Sequence, residues 1–305
     1  MSNASHGTGH IIQSLIVNLL IVCAKGFAAF MTKSGAMLAE TIHSFADCAN
    51  QALLLLGVKQ ADKPADEDHE FGYGMSVYFW SFMVAMLLFS VGGMFSIYEG
   101  WHKLHEPEPI TQVSWGVGIL VFSIILEGYA TISNIKSINE KRGERNFFNY
   151  LTSTKDSDLI VIFGENSAAV LGLAFALAAL LASYYTGDPR YDAAGSIAIG
   201  VVLISVAIFL AREVKSLLLG ESANDTVKLA IKSIVGNHPD VQRVLNTRTI
   251  QQGPFSILAC IKISCVPNLT APQVSKLIND LEAEIRRNHP EVKYIYIEPD
   301  LQEWK

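Results

Sequence analysis

The chain is poor in cysteine and in charge. Its four cysteines, Cys23, Cys48, Cys260 and Cys265, form no CxxC pair. Cys260 and Cys265 are an odd number of residues apart on an expected strand, so they point to opposite faces. All four read as free thiols, which excludes a disulfide framework and fits a reducing compartment around the tail. Charged residues make up only 17% of 305 positions, and the net charge of −6 argues against a nucleic-acid partner. No P-loop, GxGxxG, GxSxG or Ser/His/Asp arrangement is present, so neither nucleotide-driven pumping nor hydrolysis has support. The first apolar run lacks a basic leader and a small-residue cleavage site, which argues against a signal peptide.

Long apolar runs are what the chain has instead. They lie near residues 11–31, 36–58, 76–100, 113–134, 158–184 and 192–211. Each supplies the roughly 20 residues that a bilayer-crossing helix needs. The expectation is an α-helical membrane domain of six spans over residues 1–220. Lys136, Lys141, Arg142, Arg145 and Lys155 crowd one connection, and Arg212 and Lys215 follow the sixth run. Lys103 and Arg190 alone serve the connections after the third and fifth runs. The positive-inside rule therefore places the 135–157 loop, both termini and the tail in the cytoplasm. A bacterial-type inner membrane is the expected location.

Within the second run stands Ile42-His43-Ser44-Phe45-Ala46-Asp47. A helix stacks residues four apart on one face, so His43 and Asp47 offer a nitrogen and an oxygen together. That pair suits zinc and neighbouring divalent ions. Ionisable groups at membrane depth usually face a bundle interior or a polar path. A simple hydrogen bond between helices is the competing reading of His43. Glu127 reads equally as a proton relay or as a partner for Lys25. Glu40 reads as part of an outer mouth or as a hydrogen bond to a neighbouring helix. Asn50 and Gln51 lie near the His43 face. Asn18 reads as glue between helices, and His102 and His105 as solvated loop residues.

From Glu221 the pattern becomes that of a small α+β domain over 221–305. Asn224 or Asp225 caps a helix stopped by Gly236 and Pro239. Strands follow at 241–250 and 255–265, joined by a turn at Gln251-Gln252-Gly253-Pro254. Phe255, Ile257, Ala259, Ile261 and Ile263 are expected to share one face. Thr270 caps a second helix, and a last strand covers 292–298. The order αββαβ predicts a ferredoxin-like or metallochaperone-like unit. His238 and His289 read as helix-end residues facing solvent.

Six runs, the HxxxD pair in the second and the α+β tail together resemble the cation diffusion facilitator family of metal/proton antiporters. Asn50-Gln51, Gly164-Glu165-Asn166-Ser167-Ala168-Ala169-Val170-Leu171-Gly172 and Gly187-Asp188-Pro189-Arg190-Tyr191-Asp192 point to its zinc transporter 9 branch. The resemblance implies a cation site shared by the second and fifth spans. His43 and Asp47 match the second-span half. Anchored on Gly172, the fifth-span ligands fall on Asn166 and on Ile162, which cannot bind metal, with Glu165 beside them. The implied metal residues are His43, Asp47, Glu165 and Asn166. The branch reads Glu-Asp where this chain reads Glu-Asn, and an amide oxygen is a weaker ligand than a carboxylate.

The resemblance also implies a second metal loop, DHxxGHG, at Asp66-Glu67-Asp68-His69-Glu70-Phe71-Gly72-Tyr73-Gly74. Here Tyr73 stands where a histidine is expected, so an acidic mouth is the preferred reading. In the tail Lys262 and Tyr296 replace family histidines, and Glu298 is the acid that remains. The implied activity is proton-coupled export of a divalent cation, Zn²⁺ first and Mn²⁺, Fe²⁺ or Co²⁺ as alternatives. No organic cofactor and no enzyme chemistry are implied. The expected partners are the cation, protons, membrane lipid and a second copy in a homodimer. A transporter-derived sensor or scaffold with a degraded site is the alternative, and a membrane metal hydrolase using Glu165 is a third reading.

Overall fold

A computed structural model describes residues 4–154 and 157–301, with side chains from Asn18 onward except that of Asp158. Lys155 lies outside the described residues. The chain forms helices α1 (Ala4–Thr32), α2 (Gly35–Ala61) and α3 (Ser76–Leu87), a π-helical stretch (Leu88–Met94), and α4 (Phe95–His105). Then come α5 (Val113–Arg142), α6 (Phe147–Ser153), α7 (Ser157–Thr186) and α8 (Arg190–Leu218). The tail is α9 (Asp225–Gly236), β1 (Val241–Gly253), β2 (Ser256–Cys265), α10 (Ala271–Asn288) and β3 (Val292–Pro299).

By length and composition, four stretches are apolar enough to cross a membrane among the described residues: Ser76–His105, Val113–Arg142, Leu159–Thr186 and Arg190–Leu218. Asn18–Thr32 is a shorter apolar helix. α2 is long enough at 27 residues. Buried Glu40, His43 and Asn50 interrupt its hydropathy.

Chain contacts divide the protein into two units. The first holds the chain up to Leu56, Trp80–Asn149 and Asp158–Glu213; the second holds Gly57–Phe79, Tyr150–Ser157 and the chain from Val214. In the first unit Ala28, Met37, Leu88, Leu120, Leu173 and Leu203 share one apolar core. The third rod of the chain, α3 through the π-helical stretch to α4 (Ser76–His105), packs on α8 through small residues. A Cβ at Gly200 would stand 2.7 Å from the Gly93 carbonyl, and one at Gly100 2.7 Å from the Ala193 carbonyl. Ser196 Oγ donates to the Ser96 carbonyl at 2.8 Å in the same seam. Such close approach supplies dispersion contact that lipid cannot.

The second unit contains a three-stranded sheet in the order β1-β2-β3. β1 and β2 are antiparallel, while β2 and β3 are parallel across α10. Ile257, Ala259, Ile261 and Ile263 of β2 bury one face against Ile231 and Val235 of α9 and Leu277, Leu281 and Ile285 of α10. This is the αββαβ order read from the sequence. Asn224 caps α9 by accepting from the Thr226 amide, and Thr270 with Gln273 forms a capping box on α10.

The turn between β1 and β2 differs from expectation. β1 runs to Gly253, so the reversal falls at Pro254-Phe255, and Phe255 is 76% exposed rather than on the buried face. Proline cannot donate to the ladder, which ends β1 one step before it. Loop 66–75 packs within this unit on the sheet. Phe71 meets Tyr294 edge-on at 5.2 Å, and a Cβ at Gly74 would collide with the Gln252 carbonyl.

Candidate cation site

The His43–Asp47 spacing produces the pair it predicts. His43 Nδ1 lies 3.5 Å from Asp47 Oδ1, with the imidazole fully buried and the carboxylate 20% exposed. Both ring nitrogens of His43 and Oδ1 of Asp47 lack a hydrogen-bond partner. Unpaired polar atoms at such depth are costly, and their persistence marks a place where something else completes them.

Asp47 opens onto a polar cavity of about 260 Å³. Its walls come from four helices: Asn18 and Ile21 of α1, Ser44, Asp47 and Gln51 of α2, Glu127 and Ala130 of α5, and Glu165, Asn166 and Ala169 of α7. Asp47, Glu165 and Asn166 therefore share one cavity, while His43 is fully buried and not part of its lining. Ile162, on the same helix, is 40% exposed and does not line it.

Glu165 is held by a side chain of α2. Asn50 Nδ2 donates to its Oε1 at 2.6 Å. Among the described residues, no group of three or more His, Cys, Asp or Glu side chains stands in metal-holding geometry. Asn50 Oδ1 and Gln51 Oε1 are further buried acceptors without partners near the cavity.

Lys25 settles between its alternatives. Its ammonium lies 3.2 Å from Glu40 Oε2 and donates to Ser44 Oγ at 2.7 Å, so Glu127 is left as a cavity wall. Asn18 also lines the cavity. At the α1–α2 turn, Asp192 accepts from Ser34 Oγ and from the Gly35 amide, each at 2.5 Å. A carboxylate there completes the start of α2, where backbone N–H groups have no helical partner. No spacing in the sequence announces either long-range contact.

The loop resembling a second metal site is closed by its own side chains. Tyr73 Oη donates to Asp66 Oδ2 at 2.6 Å and holds that carboxyl below the usual carboxylate range. The His69 ring lies over Tyr73 with centroids 4.2 Å apart. In the tail, buried Lys262 pairs with Glu298 at 3.7 Å and with Asp300. His102 pairs with Glu106 at 3.6 Å, and His289 ends α10 beside Glu291 at 3.1 Å.

Apolar helices around a buried polar cavity define an integral membrane protein. Residues 11–219 match the cation efflux transmembrane domain, and the chain belongs to that family, the cation diffusion facilitators. The Xenopus laevis proton-coupled zinc antiporter SLC30A9, mitochondrial, is 30% identical over 80% of this chain and 44% of its own length. Metal tolerance protein C4 of Arabidopsis thaliana is 29% identical over 83% and 56% respectively. The cation-efflux pump FieF of Klebsiella pneumoniae is 27% identical over 88% and 85%. The chain thus spans about half the length of the first two relatives. The solved MamM-CTD is 18% identical over 26% of this chain and 98% of its own, with a TM-score of 0.24. That likeness adds nothing to the strand order already described.

Proposed function

We propose that the chain exports a divalent transition-metal cation, Zn²⁺ first, from the cytoplasm in exchange for protons. The observation that carries this reading is the convergence of Asp47, Glu165 and Asn166 on one buried cavity, with an unpartnered His43 against Asp47. Family membership and the names of the relatives support it. In this reading α1 and α2 complete six crossings, both termini face the cytoplasm, and the membrane is a bacterial-type inner membrane. The SLC30A9 relative is named as mitochondrial. Residues 1–220 form the transport domain and 221–305 a regulatory domain through which two copies pair.

The cation enters the cavity and takes lone pairs from Asp47, His43 and Glu165, with Asn166 completing the set. For this, Glu165 exchanges the Asn50 amide for the ion. Protons and cation compete for the same lone pairs, which couples their opposite flows. The test is uptake into proteoliposomes under an imposed pH gradient, comparing Zn²⁺, Mn²⁺, Fe²⁺ and Co²⁺. Flux should follow the gradient and vanish in Asp47→Ala. Absence of flux for every ion would leave the scaffold reading, which the Asn50–Glu165 bond favours.

A further inference from the structure

The Lys25–Glu40 pair is the one ion pair among the described residues with both side chains fully buried. Its position is specific. Lys25 lies one turn beyond Ile21 on α1, Glu40 one turn before Ser44 on α2, and Gly172 just beyond Ala169 on α7. Ile21, Ser44 and Ala169 each line the cavity. All three steps run toward the end of the bundle that carries the α1–α2 turn.

At that level the three helices close on one another. Lys25 bridges α1 to α2 through Glu40 and Ser44. The second carboxylate oxygen, Glu40 Oε1, has no hydrogen-bond partner and faces α7, where a Cβ on Gly172 would collide with it. Only a residue without a side chain lets the carboxylate seat there. Buried ion pairs are weak stability devices, because desolvation offsets most of their attraction. A pair placed across the mouth of an ion path has another use.

We propose that Lys25, Glu40 and Gly172 form the outer gate of the cation path, shut in this structure. The inference rests on the export reading for its direction. When shut, Lys25 holds one Glu40 oxygen and the close approach of Gly172 covers the other, and the ammonium repels a divalent ion at the end of the cavity. Opening requires α7 to withdraw from Glu40 or α1 to withdraw with Lys25.

The experiment uses the full chain in proteoliposomes, with an internal pH dye and Zn²⁺ as the probe ion. Lys25→Met with Glu40→Gln removes both charges as a neutral unit and leaves no buried charge alone. Gly172→Ala displaces Glu40 by contact alone. Gly118→Ala, whose Cβ meets nothing within 4 Å, is the control. Both gate variants should leak protons without metal about tenfold faster than the parent, as one lost decade of closed-state preference would give. Zn²⁺ affinity should stay within about twofold, a shift that general loosening of the site would exceed. If both gate variants hold a pH gradient as tightly as the parent and the control, the gate is overturned. The leak is read without Zn²⁺, so that outcome counts even if the parent carries none. An inert parent with leaky variants would count against antiport and leave the gate.

Discussion

Asn50 and Tyr73 each occupy an acid that the sequence offers as a metal ligand. Asn50 donates to Glu165 and Tyr73 to Asp66. The two bonds differ in setting. Glu165 is buried at membrane depth, whereas Asp66 sits in an exposed loop. Removing the phenol in Tyr73→Phe should raise the Asp66 pKa toward the ordinary carboxylate value, as NMR titration of its carboxyl would show. The sign follows from linkage. A depressed folded-state pKa contributes order above the unfolded value and loses it as pH falls through the folded one. The parent loop should therefore loosen as pH falls through the depressed Asp66 value, and the variant, with most of that linkage removed, should show a weaker dependence on pH. An unchanged Asp66 titration would remove Tyr73 as the cause. At this scale His43 and Asp47 were legible because spacing along one helix fixes a shared face. Asn50–Glu165 and Lys25–Glu40 were not, since helical period carries no information on which neighbour a face meets.

Between elements, glycine decides how close the rods come. Gly200→Ala should cost about 1–3 kcal/mol, because its Cβ would meet the Gly93 backbone and Ile97 and neither can yield without moving a helix. Gly118→Ala should be neutral, or gain up to about 1 kcal/mol from helix propensity. Thermal unfolding in detergent of the two variants against the parent measures both. Equal effects would mean the seam is not tightly packed. The elements themselves were mostly legible. Apolar runs located the long helices, Asn224 and Thr270 marked the starts of the tail helices as caps, and Gly236 is the last residue of α9. The reversal at Pro254-Phe255 was not, because Gln251-Gln252-Gly253-Pro254 carries turn residues one step ahead of the actual bend.

For the molecule as a whole, the residues of the second unit that stand where a metal site was weighed are engaged with one another. Lys262 pairs with Glu298 and Asp300, and Tyr73 with Asp66. The fully buried residues of its core, from α9, α10 and the sheet, are aliphatic. Chelators should therefore leave the unfolding of this unit unchanged, as hydrogen exchange of β2 and β3 amides with and without a chelator would report. Loss of protection on chelation would reveal a structural metal there.

The glycine seam carries one further consequence. Gly93, Gly100 and Gly200 do not line the cavity, yet a Cβ at each would press on an isoleucine Cγ1, and at Gly100 and Gly200 on a backbone carbonyl at 2.7 Å as well. Tolerance to substitution along this chain should therefore not track distance from the cation. Glycine positions in the seam between the third rod and α8 will reject added bulk, while Gly128, next to the cavity-lining Glu127, accepts it. Sequence drift in this protein is thus bounded by two separate surfaces, one chemical and one steric.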